Sequence, residues 1–264
     1  MSAPDRESPR ACPACDAARA RAAFCKRGFD HLRCARCGTL FVARVPTPDE
    51  LAAIYLDPSY HEHAGETEVE RRAAEAEARA RRLRALGAQH VLEVGCGVGS
   101  FLDAAARIGL DVEGVDRAPS AARARARGHR VHDRWLDELR PVAARFDAIA
   151  AWEVLEHVAS PLAMLEGFRP WLRPGGVLAL STPSFSGVYA RALGPRFPMV
   201  CPPEHLELFT RRGLVTLLDR GGFELRRLRS FSNLGRARLA NGFRRYALGE
   251  SPLARAAASA LAVI

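Results

Sequence analysis

The stretch Val91-Leu92-Glu93-Val94-Gly95-Cys96-Gly97-Val98-Gly99 constrains this chain more than any other. An apolar run with strand character ends in an acidic residue and three alternating glycines. Ser100 to Ala106 then starts a helical pattern. A strand, a glycine turn and a helix bring bare backbone close to a nucleotide-like ligand, and the helix-start N–H groups face a negative group. The spacing is GxGxG rather than GxGxxG, which sets it apart from the usual dinucleotide fingerprint.

Alternating elements follow. Val112 to Asp116 reads as a second strand, and its carboxylate comes 21 residues after Gly95, which suits one βαβ step. A helix over Pro119–Arg127 and strands at Arg130–His132 and Phe146–Trp152 come next. A helix over Pro161–Leu172 ends at the turn Arg173-Pro174-Gly175-Gly176. Val177–Ser181 is the fifth strand, Thr210–Arg220 a helix and Phe223–Phe231 a sixth strand. This order predicts an α/β fold with a doubly wound, mostly parallel, Rossmann-like sheet and its ligand at the strand carboxyl ends.

Upstream, Cys12-Pro13-Ala14-Cys15 and Cys34-Ala35-Arg36-Cys37 form CxxC-x18-CxxC. Two tight turns carrying two thiolates each close a tetrahedral S4 site suited to zinc. Four thiolates leave no open position for chemistry, so Cys12, Cys15, Cys34 and Cys37 are expected to hold a structural zinc. Phe24–Leu32 and Thr39–Val42 read as ribbon strands. The domains expected are a zinc ribbon at 1–45, a linker and leading helices at 46–89, the sheet core at 90–232 and a basic amphipathic segment at 233–264.

The net charge of +9 comes almost wholly from arginine, since Lys26 is the only lysine. Spread over solvated helix faces, such as the Ala/Glu/Arg helix at Glu66–Leu86, this charge needs no partner. Concentrated on one face, it would suit RNA or an anionic membrane. The polar start Met1–Arg10 lacks a signal-peptide pattern, and no apolar run approaches the roughly 18 residues of a bilayer span. Cysteines arranged for metal rather than disulfides suit a reducing compartment, so the expected localisation is cytoplasmic. After Phe231 neither tail stretch alternates as a strand should, so whether a strand closes the sheet there stays open. The tail reads instead as a helix packed on the sheet, with peripheral membrane contact as the alternative.

Four stretches in order resemble the motifs of class I S-adenosylmethionine-dependent methyltransferases over about residues 90 to 230. They are Glu93–Gly99, Gly114-Val115-Asp116, Phe146-Asp147 with Trp152-Glu153-Val154-Leu155-Glu156-His157, and Leu172–Gly176. The resemblance implies that Gly95, Gly97 and Gly99 pass beneath the methionine part of the cofactor and that Asp116 holds its ribose. It further implies that Glu93 organises the loop, that Trp135 and Leu136 border the adenine, and that Trp152 belongs to the cofactor site. Glu153-Val154-Leu155-Glu156-His157 is similar to the ExxEH motif of ubiquinone-type O-methyltransferases and of small-RNA 2′-O-methyltransferases. Glu204-His205 resembles the Glu-His pair of zinc-ribbon deoxysugar C-methyltransferases, in which the histidine is a candidate base.

At i, i+3 and i+4, Glu153, Glu156 and His157 would share one face of a helical turn. The resemblance to small-RNA 2′-O-methyltransferases, in which two Glu and two His bind a divalent ion, implies that with His205 they form a candidate site for magnesium or another divalent ion. His205, Glu204 and His157 are the candidate catalytic residues. The function expected is methyl transfer to a small molecule, chiefly at oxygen, with C-methylation open. RNA methylation through the ribbon and a non-catalytic binding module are the alternatives. Oligomeric state and the acceptor's identity stay open.

Overall fold

The computed structural model describes residues 10–47, 49–51, 66–134, 138, 144–231 and 260–263. They group into two compact units. One draws on Met1–Pro46, Glu156–Leu162 and Thr182–Ala262, the other on Thr47–Leu155, Ala163–Ser181 and Val263–Ile264.

The strands are β1 (Ala20–Lys26), β2 (Phe29–Cys34), β3 (Leu40–Val42), β4 (His90–Val94), β5 (Asp111–Val115), β6 (Arg130–His132), β7 (Phe146–Trp152), β8 (Leu172–Pro183), β9 (Glu207–Leu208), β10 (Leu228–Phe231) and β11 (Ala260–Val263). The described helices are α1 (Glu66–Ala85), α2 (Ser100–Arg107), α3 (Ala122–Ala126), α4 (Pro161–Phe168), α5 (Val188–Leu193) and α6 (Arg211–Arg220). None is long and apolar enough to cross a membrane.

The second unit is the parallel α/β sheet that the alternation predicts. Its strands run β8-β7-β4-β5-β6, with Val91 paired to Ala148 on one side and Val112 on the other. Val91, Leu92, Glu93 and Val94 are all buried, the mark of a central strand covered on both faces. Helix α1 is strongly charged, yet Ala76, Ala80 and Leu83 form a buried stripe. That stripe packs with Phe101, Leu102 and Ala105 of α2 and with Val91 and Val112 of the sheet.

The full sheet order is β10-β11-β8-β7-β4-β5-β6. β11 supplies the strand beyond Phe231 that the sequence left open. Ala260-Leu261-Ala262-Val263 is a four-residue apolar run, too short for alternation to identify, and pairing in the sheet decides its conformation. The rest of the tail, 232–259, lies outside the described residues, as do Trp135 and Leu136.

The first unit contains an antiparallel sheet in the order β1-β2-β3-β9. Three strands belong to the ribbon. The fourth arrives from far along the chain, pairing Leu208 with Leu40 and Glu207 with Phe41. Arg10 forms an ion pair with the fully buried Glu207, whose carboxyl is pushed up to about 8 by burial. Helix α6 packs on the cysteine knuckle. Its N-cap Thr210 accepts from the Gly213 N–H and donates to the Cys37 carbonyl at 2.6 Å.

A Cβ on Gly213 would lie 2.1 Å from Thr39 Oγ1, and Thr39 is fully buried. Intrinsic helix propensity favours alanine over glycine by up to about 1 kcal/mol, but a clash this close overrides it. Gly213→Ala is expected to destabilise the protein by about 1–3 kcal/mol in a denaturant titration. A gain in stability would show that α6 does not seat on the knuckle this way.

Candidate functional site

In the second unit the three glycines of the loop serve different ends. Gly95 and Gly99 have φ of +75° and +83°, and a Cβ at either would collide with a neighbour. It would lie 2.6 Å from Val154 Cγ2 at Gly95 and 2.7 Å from Ala124 Cβ at Gly99. Gly97 has φ +49°, and a Cβ there would meet nothing within 4 Å. Two glycines therefore pack the loop, and the middle one leaves open space above bare backbone.

Asp116 follows β5 and clasps this loop. Its carboxylate accepts the Gly97 N–H and the Ala118 N–H, each at 2.6 Å. A carboxylate has about four acceptor positions, so two remain for a ligand's hydroxyls. Glu93 is 4 % exposed, and its Oε2 has no hydrogen-bond partner among the described residues. Burial raises its carboxyl well above the usual range; Arg79 opposes that shift, while Asp116 and Asp103 add to it. An orphaned buried acceptor beside open backbone fits a ligand with both polar and cationic groups.

Sequence reading missed Arg79. It sits on α1 within the buried alanine stripe, donates to Glu75 at 2.9 Å and Ser181 Oγ at 3.3 Å, and stacks 4.5 Å over Trp152. Trp152 also packs against Phe101 at 5.7 Å, and its Nε1 has no partner among the described residues. The available signal was an arginine between Ala76 and Ala80, one turn from solvent in an otherwise apolar stripe.

The first unit holds a second cluster. The rings of His157 and His205 meet edge-on with centroids 4.6 Å apart. One donor atom each from Glu156, His157 and His205 lie within 4.8 Å of one another. His157 Nδ1 is 2.9 Å from the Glu204 carbonyl, and His205 Nδ1 is 2.7 Å from the Met199 carbonyl. A carbonyl only accepts, so both Nδ1 atoms carry the proton and each ring's lone pair sits on Nε2, which in His157 lies 3.8 Å from Glu156 Oε1. Burial lowers His157 to about 3, with His205 adding to the shift, and burial lowers His205 to about 4. Both imidazoles are therefore neutral at pH 7. Glu156 is fully buried and accepts from Thr182 Oγ1 at 2.9 Å.

Two expectations are corrected here. Glu153 does not share a helical face with Glu156 and His157. Its φ is +55°, its N–H donates to the Ser181 carbonyl, and a 3₁₀ turn begins only at Leu155. The left-handed backbone breaks any helix and keeps Glu153 out of the donor cluster. Nor does Glu204 bring its carboxylate to the site. It offers its backbone carbonyl to His157, and its side chain faces Arg27 at 3.8 Å.

At the knuckle, Cys12 and Cys37 Sγ lie 3.6 Å apart, and Cys15 and Cys34 Sγ 3.5 Å apart. All four cysteines are buried. Tetrahedral zinc with Zn–S of about 2.3 Å calls for S···S edges of about 3.8 Å, so the four thiols fit that ion. The Arg36 and Cys37 N–H groups reach Cys34 Sγ at 3.3 and 3.4 Å, supporting a thiolate there.

A family model described as a methyltransferase domain matches residues 63–228. The chain belongs to that family. Its α/β unit is the fold of the class I S-adenosylmethionine-dependent methyltransferases. Among curated relatives, the chain is similar to a ubiquinone biosynthesis O-methyltransferase of Xanthomonas campestris pv. campestris. Identity is 39% over 107 residues, covering 37% of this chain and 44% of the relative. The protein of that name from Cereibacter sphaeroides is 38% identical over 99 residues, covering 35% and 40%. The matches thus span less than half the length of these relatives.

Among solved structures, the Burkholderia thailandensis 1,6-didemethyltoxoflavin-N1-methyltransferase, bound to 1,6-didemethyltoxoflavin and S-adenosylhomocysteine, superposes with a TM-score of 0.56. Identity is 19%, over 92% of this chain and 97% of that one. The [4+2]-cyclase SpnF superposes with a TM-score of 0.54 at 20% identity, over 72% and 78%. A cyclase with this fold shows that the chemistry of this chain has to be argued from its residues.

Proposed function

We propose that this protein binds S-adenosylmethionine in the Gly95–Gly99 loop and transfers its methyl group to the oxygen of a small molecule, with His205 as the base. The observation that carries the cofactor reading is the open backbone at Gly97 clasped by Asp116 beside the orphaned Glu93 acceptor. Bound there, the cofactor supplies an electrophilic methyl on its sulfonium. Asp116 would orient the ribose hydroxyls, and Glu93 with Arg79 would set the charge beneath the loop.

An acceptor hydroxyl must lose its proton as the methyl arrives, which calls for a neutral base with a free lone pair. His205 has this form, oriented by the Met199 carbonyl on Nδ1. The likeness to ubiquinone biosynthesis O-methyltransferases supports oxygen as the site of transfer. If the cluster also takes an ion, two imidazoles and one carboxylate suit manganese, iron or zinc better than magnesium, which prefers oxygen ligands. RNA as acceptor is the competing reading, and C-methylation through the same base is a variant of the proposed one.

Calorimetric titration with S-adenosylhomocysteine tests the first half. Saturable binding is expected, weakened at least about tenfold by Asp116→Ala, because two charge-assisted hydrogen bonds are lost. No binding by folded protein would favour a silent binding module. An acceptor screen with the labelled methyl donor, run on hydroxylated small molecules and on structured RNA, tests the second half. Label appearing only in RNA would overturn it.

A further inference from the structure

The first unit contains a cavity of about 1030 Å³ between β1, β2, the knuckle turn and the segments carrying α5 and α6. We propose that it is a binding site for a phosphate-bearing small molecule, an assignment that does not depend on the methyl-transfer reading.

Charge carries the argument. Arg21, Arg33, Arg36, Arg191 and Arg212 line the cavity, and no aspartate or glutamate does. Arg21 and Arg33 are register partners, directly opposite each other across β1 and β2. Like charges directly opposite on a sheet destabilise it, so the ribbon bears a cost that nothing in the pairing itself offsets. Elsewhere in the same unit, arginines find carboxylates: Arg10 with Glu207, Arg27 with Glu204 and Arg220 with Asp16. None of the five cavity arginines makes an ion pair among the described residues. A zinc tetrathiolate beneath them carries two net negative charges, and five guanidiniums exceed that.

The ligand class follows from the donors and the walls. Guanidinium forks engage phosphate oxygens in bidentate pairs, and several converging forks suit a doubly or triply charged group better than a single carboxylate. The volume matches the upper end of small-molecule sites, far more than a bare phosphate fills. Ala22, Ala23 and Ala192 supply exposed apolar wall, which leaves room for an apolar or ring portion beside the phosphate. A nucleic-acid strand would need exposed aromatic faces on which to stack. Phe24 is already stacked on His31 at 4.8 Å, and Phe185 is buried.

The test is calorimetric titration of the zinc-loaded full chain with inorganic pyrophosphate, with sulfate and a single-stranded RNA as comparison titrants. One-site binding of pyrophosphate is expected, tighter than that of sulfate. Arg21→Gln with Arg33→Gln, and separately Arg191→Gln with Arg212→Gln, are each expected to weaken it at least about tenfold. The two pairs sit on different elements, and zinc content and S-adenosylhomocysteine affinity show that each variant is folded. The exposed control Arg81→Gln with Arg226→Gln should leave the Kd unchanged within about twofold. Absent binding, equal binding of sulfate, an equal loss in the control, or RNA binding without pyrophosphate binding would each overturn the assignment.

Discussion

Cys12→Ser is expected to cost the protein its zinc and the antiparallel sheet of the first unit its order. The four thiols are buried, with S···S separations of 3.5 and 3.6 Å across the two turns. Without an ion, thiolates held this close repel one another, and the thiols give the knuckle little else to hold it shut. Structural zinc contributes about 10–16 kcal/mol of apparent binding free energy in small zinc modules, and binding of this kind is coupled to folding.

Part of that coupling is buffered here, because the ribbon also packs on α6 and pairs β3 with β9. We therefore expect a loss of several kcal/mol rather than complete unfolding. That corresponds to a melting temperature lowered by roughly 10 °C or more. Limited proteolysis should cut first within β1 to β3. Metal analysis giving one zinc per wild-type chain and none in the variant would agree. An unaltered melting temperature in a zinc-free variant would show that the cysteines are not structural.

His205→Gln is expected to lower turnover of the acceptor by roughly 10²–10⁴-fold while leaving S-adenosylhomocysteine affinity unchanged. Glutamine can keep the hydrogen bond to the Met199 carbonyl but has no basic lone pair. The loss should therefore fall on kcat rather than on folding. The pH dependence has a defined sign. Burial lowers His205 to about 4, below its unfolded value of about 6.5, so the folded protein binds fewer protons than the unfolded chain between those values.

Stability contributed by the neutral imidazole is thus fully present above pH 6.5 and is lost as the pH falls toward 4. The base itself stays unprotonated across the neutral range, so kcat should not fall with an apparent pKa near 6.5. A rate limb at that value, or full turnover by His205→Gln, would remove His205 from the role of base. His157→Gln should act in the same direction, since its ring packs edge-on against His205 at 4.6 Å.

The parts of this molecule that were readable in advance are those whose geometry is local in the chain. Gly95, Gly97 and Gly99 announce a left-handed turn after β4 because only glycine takes those φ values without cost. Asp116 lies one βαβ step further on, where that geometry returns the chain beside the loop. Each CxxC pair closes on itself within one turn. Where the reading went wrong, a neighbour distant in sequence overruled the local pattern. Glu153-x-x-Glu156-His157 has helical spacing, but the bond from the Glu153 N–H to Ser181 and the packing of Val154 on Gly95 hold the backbone out of a helix. Glu204 stands next to His205 in the chain, yet its carbonyl serves His157.

The sequence by itself therefore determined the fold class, the glycine loop with its acidic clasp, and the cysteine framework. Each of these is encoded by spacings of a few residues or by one βαβ unit. Only the tertiary structure decided that the rings of His157 and His205 meet, each held by a backbone carbonyl on Nδ1. It also decided that Glu207 and Leu208 complete the ribbon sheet, and that Arg21 and Arg33 face each other in register among three further arginines. The physical reason is that backbone conformation follows from nearest neighbours, whereas the meeting of side chains from separate elements depends on how those elements pack, which no single window of sequence contains.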